Sequence, residues 1–125
     1  MSLYAIIEDY KKSPPTNIED YCDFLEDYGQ KLQILDREEI TTDLILETED
    51  IINKIYKALL NNASPSAKEV LRSARSTAFA LSDYYNSDIP DKELKIKVQS
   101  EFYDTVVQLG ELLENLSSLL LSIAI

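Results

Sequence analysis

The sequence predicts an all-α fold, an antiparallel four-helix bundle with a short extra N-terminal helix and a long C-terminal helix. Three features of the 125 residues predict it. Helix punctuation is sparse: only Gly29 and Gly110, with prolines at 14, 15, 65 and 90, so the uninterrupted segments are long. Within those segments apolar residues recur at alternating spacings of four and three, which marks one face of a helix. The breaks are flanked by residues that cap helix ends. No stretch reads as a strand, and there is no repeat or low-complexity tract. A chain of this length buries roughly two-thirds of its unfolded surface, enough for one core, so 1–125 is read as a single domain, with a short amphipathic helix in 1–12 and the bundle in 16–125.

The first helix, about residues 2–11, carries Leu3, Ile6, Ile7 and Tyr10 on one stripe. Ser13-Pro14-Pro15 ends it, because proline has no N–H to give the helical ladder and disfavours helix in the residue before it. Thr16-Asn17-Ile18-Glu19 reads as a capping box opening the next helix, whose apolar row is Tyr21, Leu25, Tyr28, Leu32 and Leu35, widened by Phe24. Asp36-Arg37-Glu38-Glu39 has the same pattern and places a further helix start there, running to about Leu60, although nothing between 29 and 40 forbids one continuous helix. Its buried positions are Ile40, Leu44, Ile45, Thr48, Ile51, Ile52, Ile55 and Leu59. Asn61-Asn62 supplies a left-handed cap. Ser64-Pro65 starts the next helix, a serine N-cap with proline at the first helical position, and its row is Ala67, Leu71, Ala74, Ala78, Leu81 and Tyr85. After the turn at 86–90, residues from about 91 to the end read as one helix of about 50 Å. Its row is Val98, Phe102, Val106, Leu109, Leu113, Leu116, Leu120 and Ile123. Each glycine falls inside a helix, which points to close helix approach, or to a break near Gly110.

Composition restricts function. Twelve Lys and Arg against 23 Asp and Glu give a net charge of −11, which argues against direct binding to nucleic acid or to an anionic membrane. With no histidine, His-ligated metals and Ser-His or Cys-His nucleophile pairs are excluded. There is no glycine-rich phosphate loop, no calcium-loop pattern and no nucleophile elbow. Cys22 lies beside Tyr21 and Asp23 with no cation to lower its pKa, so it reads as a packing residue. One cysteine and an N-terminus without a basic region ahead of an apolar core point to the cytoplasm. The apolar C-terminus has a continuous run of about ten residues where spanning a membrane takes about 20. No cofactor, no metal and no catalytic residue is expected, and the chain reads as a non-enzyme.

Two surfaces stand out. The last helix is apolar around most of its circumference near its end, which points to a protein interface built from Leu109, Leu112, Leu113, Leu116, Leu119, Leu120, Leu121 and Ile123. The matching function is a small adaptor or complex subunit that forms a homodimer or a hetero-complex. The alternative is a helix end tucked into its own bundle. The second surface is acidic. Residues 17–30 and 38–50 are rich in carboxylates, and Glu19, Asp23, Glu26, Asp27, Glu38, Glu39 and Asp43 form a candidate docking face. They are either a solvated surface or the contact of an acidic inhibitor (an immunity, antitoxin or anti-defence protein) that blocks the basic groove of a nuclease or nucleic-acid-binding protein. Lys68, Arg72 and Arg75 make the one basic cluster, read as an anion site with Ser64 and Ser66 or as partners for neighbouring acidic faces.

Overall fold

The computed structural model describes residues 2–36, 39–86 and 92–123, with side chains described for 2–36, 39–83 and 103–120. All regular structure among the described residues is helical. The helices are α1 (Leu3–Lys12), α2 (Ile18–Ile34), α3 (Thr42–Leu59), α4 (Pro65–Asn86) and α5 (Lys92–Ile123), with a 3-10 turn at Leu60–Asn62. Their ends follow local chemistry. Ser2, Asn17, Thr41 and Ser64 each accept a hydrogen bond from the backbone N–H three residues on, satisfying a donor that the first turn leaves free.

Three local expectations are corrected. The box at the start of α2 is shifted by one residue, pairing Asn17 with Asp20 instead of Thr16 with Glu19; Asn17 Nδ2 donates back to the Asp20 carboxylate. The pattern at 36–39 does not open α3. The Glu39 carboxylate accepts from the Asp36 N–H, and the Glu39 N–H bonds the Asp36 carbonyl, so the motif closes a local turn. The helix starts only at Thr42, and Ile40 is half-buried outside it. After Leu59 the chain tightens into the 3-10 turn with right-handed backbone angles, and no described residue has positive φ, so Asn61-Asn62 is not a left-handed cap.

The packing order is α1 on α2, α2 on α5, α5 on α4 and α4 on α3. α1 also reaches α3: Tyr4 shares a hydrogen bond with Thr41, and Lys11 pairs with Glu47 at 2.9 Å. It therefore lies over the seam between α2 and α3, with Leu3, Ile6 and Ile7 buried beneath. The core holds the rows read from the sequence: Leu25, Tyr28, Leu32 and Leu35; seven residues of α3; Ala67, Leu71, Ala74, Ala78 and Leu81; and Val106, Leu109, Leu113, Leu116 and Leu120. Tyr21 is half-buried at its edge. The side chains of Tyr85, Val98, Phe102 and Ile123 lie outside the described residues.

Helices α2 and α5 approach closely at their glycines. A Cβ on Gly29 would sit 2.6 Å from the Gly110 carbonyl oxygen, and one on Gly110 would sit 2.6 Å from that of Gly29. α5 continues through Gly110 without a break, so of the two expectations for the glycines, close approach holds. Gln33 tethers the crossing, donating to the Gly29 carbonyl and to the Glu114 carboxylate. Farther along, the buried Ser117 hydroxyl donates to the Cys22 carbonyl at 2.8 Å.

α2 is linked to α3 by a buried polar pair. Thr48 donates its proton to the Leu44 carbonyl, so the Tyr28 hydroxyl is the donor to Thr48 Oγ1. Burial pushes the Tyr28 phenol well above its ordinary value of 10.0. The folded state thus favours the neutral phenol. Its contribution is complete below pH 10.0 and is lost as the pH climbs toward the folded-state value. Between roughly pH 9 and 11.5, the urea midpoint should fall less steeply for Tyr28→Phe than for the unmodified protein. Equal slopes would show that Tyr28 ionises freely in the fold.

Candidate functional site

The double proline that ends α1 also shapes a concave surface. Because 13–16 cannot stay helical, the chain turns and the next helix is capped at Asn17. Between the two helices lies a cleft of about 310 Å³. Its apolar wall is Tyr10 against Phe24, ring centroids 4.9 Å apart, with Phe24 packed in turn at a tilt against Tyr28 at 5.4 Å. Pro14 and Pro15 form one lip, and Asp9, Asp20, Asp23 and Asp27 line the cleft with Ile6, Ser13 and Thr16. Among the described residues no lysine or arginine lines it. Burial pushes the Tyr10 phenol up, so its hydroxyl stays protonated in the wall. The carboxylates surround the cleft rather than converge: among the described residues no group of three Asp, Glu or Cys is placed to hold a metal ion. Such a site suits a cationic side chain whose stem lies on the aromatic wall while its charge meets the carboxylates.

Of the acidic residues singled out in the sequence, Glu19, Asp23, Glu26 and Asp27 are all exposed on α2, but only Asp23 and Asp27 line the cleft. Asp43 is exposed on α3 and lines a separate groove between α1 and α3 with Glu8, Glu47 and Asp50. Glu39 is exposed in the turn before α3, and Glu38 lies outside the described residues. The acidic surface is therefore divided by α1. Asp9, Tyr10 and Asp20 were missed as site residues. The spacing of Asp20, Asp23 and Asp27, three then four, was a visible signal of one helical stripe.

The leucines of α5 have a different placement. Leu109, Leu113, Leu116 and Leu120 are at most 2% exposed and form part of the chain's own core. Leu112 and Leu119 are half-buried against it, and the side chains of Leu121 and Ile123 lie outside the described residues. Cys22 is fully buried and its thiol is pushed up, first by burial and then by Asp23, Glu19 and Glu26, as befits a packing residue.

On α4, Ser64 is occupied as a cap. The ion pairs among the described residues, Lys11–Glu47 and Lys54–Asp50, include none of Lys68, Arg72 and Arg75, so the expected pairing with neighbouring acidic faces is not made there. Arg75 instead lies 4.6 Å above the Tyr56 ring, with Nε donating to Asn53. Beside it Phe79 is 63% exposed. No helix among the described residues is long and apolar enough to cross a membrane. No protein-family model, curated protein or solved structure matches this chain.

Proposed function

We propose that the protein is a non-enzymatic helical interaction module of the cytoplasm, an adaptor or complex subunit, that engages a basic protein through the cleft between α1 and α2. The observation that carries this reading is the cleft's composition, four aspartates around an aromatic wall with no basic residue among the described residues that line it. The underlying architecture is read as an antiparallel four-helix bundle of α2–α5 braced by α1. The contacts of Cys22 with Ser117 and of Leu32 with Gly110 support it, because partner numbers on α5 fall as those on α2 rise. The same cleft favours the inhibitor form of the reading, in which the acidic surface covers a basic groove on a nuclease or nucleic-acid-binding protein and the chain itself binds no nucleic acid. Docking through the last helix has less to draw on, since four of its leucines already lie in the core.

Reversing Asp23 and Asp27 to lysine should weaken capture of the partner from host extract by at least roughly tenfold, and the unmodified complex should weaken with added salt. Capture that withstands both the reversal and the salt overturns the reading.

A further inference from the structure

The cleft has a counterpart on the same chain. Lys68, Arg72, Arg75 and Phe79 recur at spacings of four, three and four, which places them within one narrow stripe of α4. Arg72, Arg75 and Phe79 are exposed and Lys68 is half-buried. Arg75 is held in place by Tyr56 and Asn53, which leaves its two terminal nitrogens for another group. Read backwards along α2, Asp27, Asp23 and Asp20 have the spacing four then three. That matches Lys68, Arg72 and Arg75 read forwards, and both triplets span about 10.5 Å at 1.5 Å per residue. Four further residues along α4 comes Phe79; four residues before Asp20 comes Thr16, at the proline lip of the cleft.

We infer that the α4 stripe of a second copy of this chain docks antiparallel to α2 in the α1–α2 cleft. Lys68 then meets Asp27, Arg72 meets Asp23, Arg75 meets Asp20, and Phe79 sits against the Pro14-Pro15 lip. This rests on reading the cleft as a docking face for cationic side chains and assigns those side chains to a second copy, in place of a basic protein. The contact joins two different faces, so it is head-to-tail. Each copy carries −11, but that repulsion is spread over the surface and screened beyond about 8 Å at physiological salt, whereas pairs in contact are screened less.

Light scattering after size exclusion, from micromolar to millimolar protein, tests it. The unmodified chain should rise from the mass of one copy toward that of two or more. Asp20→Lys/Asp23→Lys/Asp27→Lys and Lys68→Glu/Arg72→Glu/Arg75→Glu should each stay monomeric, and an equimolar mixture of the two should associate again. Circular dichroism verifies that both variants are folded. Phe79→Ser, at a side chain 63% exposed, should by itself weaken association roughly tenfold. A monomer at all concentrations, variants that associate as the unmodified chain does, or a mixture that fails to associate would each overturn the inference. If the unmodified chain stays monomeric while reversing Asp23 and Asp27 still abolishes capture of a basic protein, the cleft reading stands and only the second copy is lost.

Discussion

Leu113→Ala should lower the unfolding free energy by about 2–5 kcal/mol and leave the solution mass of the folded protein where it was. Leu113 is 2% exposed, enclosed with Leu109 and Leu116 in the shared core of α2, α4 and α5. Truncation there removes apolar burial and leaves a cavity that the surrounding helices only partly fill. A leucine serving as an external docking residue would behave oppositely, with stability changed by no more than about 0.5 kcal/mol and an altered mass. Leu113→Met, which nearly conserves volume, should cost less than about 1.5 kcal/mol. Urea denaturation of the three proteins, with light scattering on the same samples, separates the two roles. Since domains of this kind are stable by only about 5–15 kcal/mol, the alanine variant should unfold at a markedly lower denaturant concentration.

The second large effect is expected at the glycine crossing. In an ordinary helix interior, Gly→Ala gains about 1 kcal/mol. Here the new methyl would lie 2.6 Å from a backbone carbonyl of the facing helix, which cannot swing aside as a side chain end can. Gly29→Ala and Gly110→Ala should therefore each destabilise by roughly 1–3 kcal/mol net. Because either methyl forces α2 and α5 apart and so makes room for the other, the double variant should lose clearly less than the sum. Denaturant midpoints for the four proteins check this, and a stabilising single substitution would show that the helices separate at little cost.

The contrast between those sites shows what could be read in the sequence. The rows Leu44-Ile45-Thr48-Ile51-Ile52-Ile55-Leu59 and Ala67-Leu71-Ala74-Ala78-Leu81 are buried as their spacing requires, because period alone says which side of a helix is apolar. Period does not say what covers that side. Leu109, Leu113, Leu116 and Leu120 look the same whether they face α2 and α4 or another molecule, and the partner of α5 is fixed only by tertiary packing. Start signals were read in the wrong frame where two polar residues compete: Asn17 prevails over Thr16, and Thr41 opens α3 while Glu39 is engaged by Asp36. The cleft was half-visible. Its α2 carboxylates stand on a regular stripe, but Asp9 and Tyr10 join them only because the proline break turns α1 back along α2.

The glycine crossing also has a consequence for the order in which the fold assembles. α3 and α4 are joined by the short 60–64 connection and can pair locally, at little loop-closure entropy. The contact between Ser117 and Cys22 spans 95 residues of chain. A polypeptide leaving the ribosome can therefore form the α3–α4 hairpin early, while α2 waits for its partner until α5 has emerged. Until then the Leu25–Leu32 face of α2 lacks the helix that covers it, and the nascent chain is most exposed to holdase chaperones in that interval.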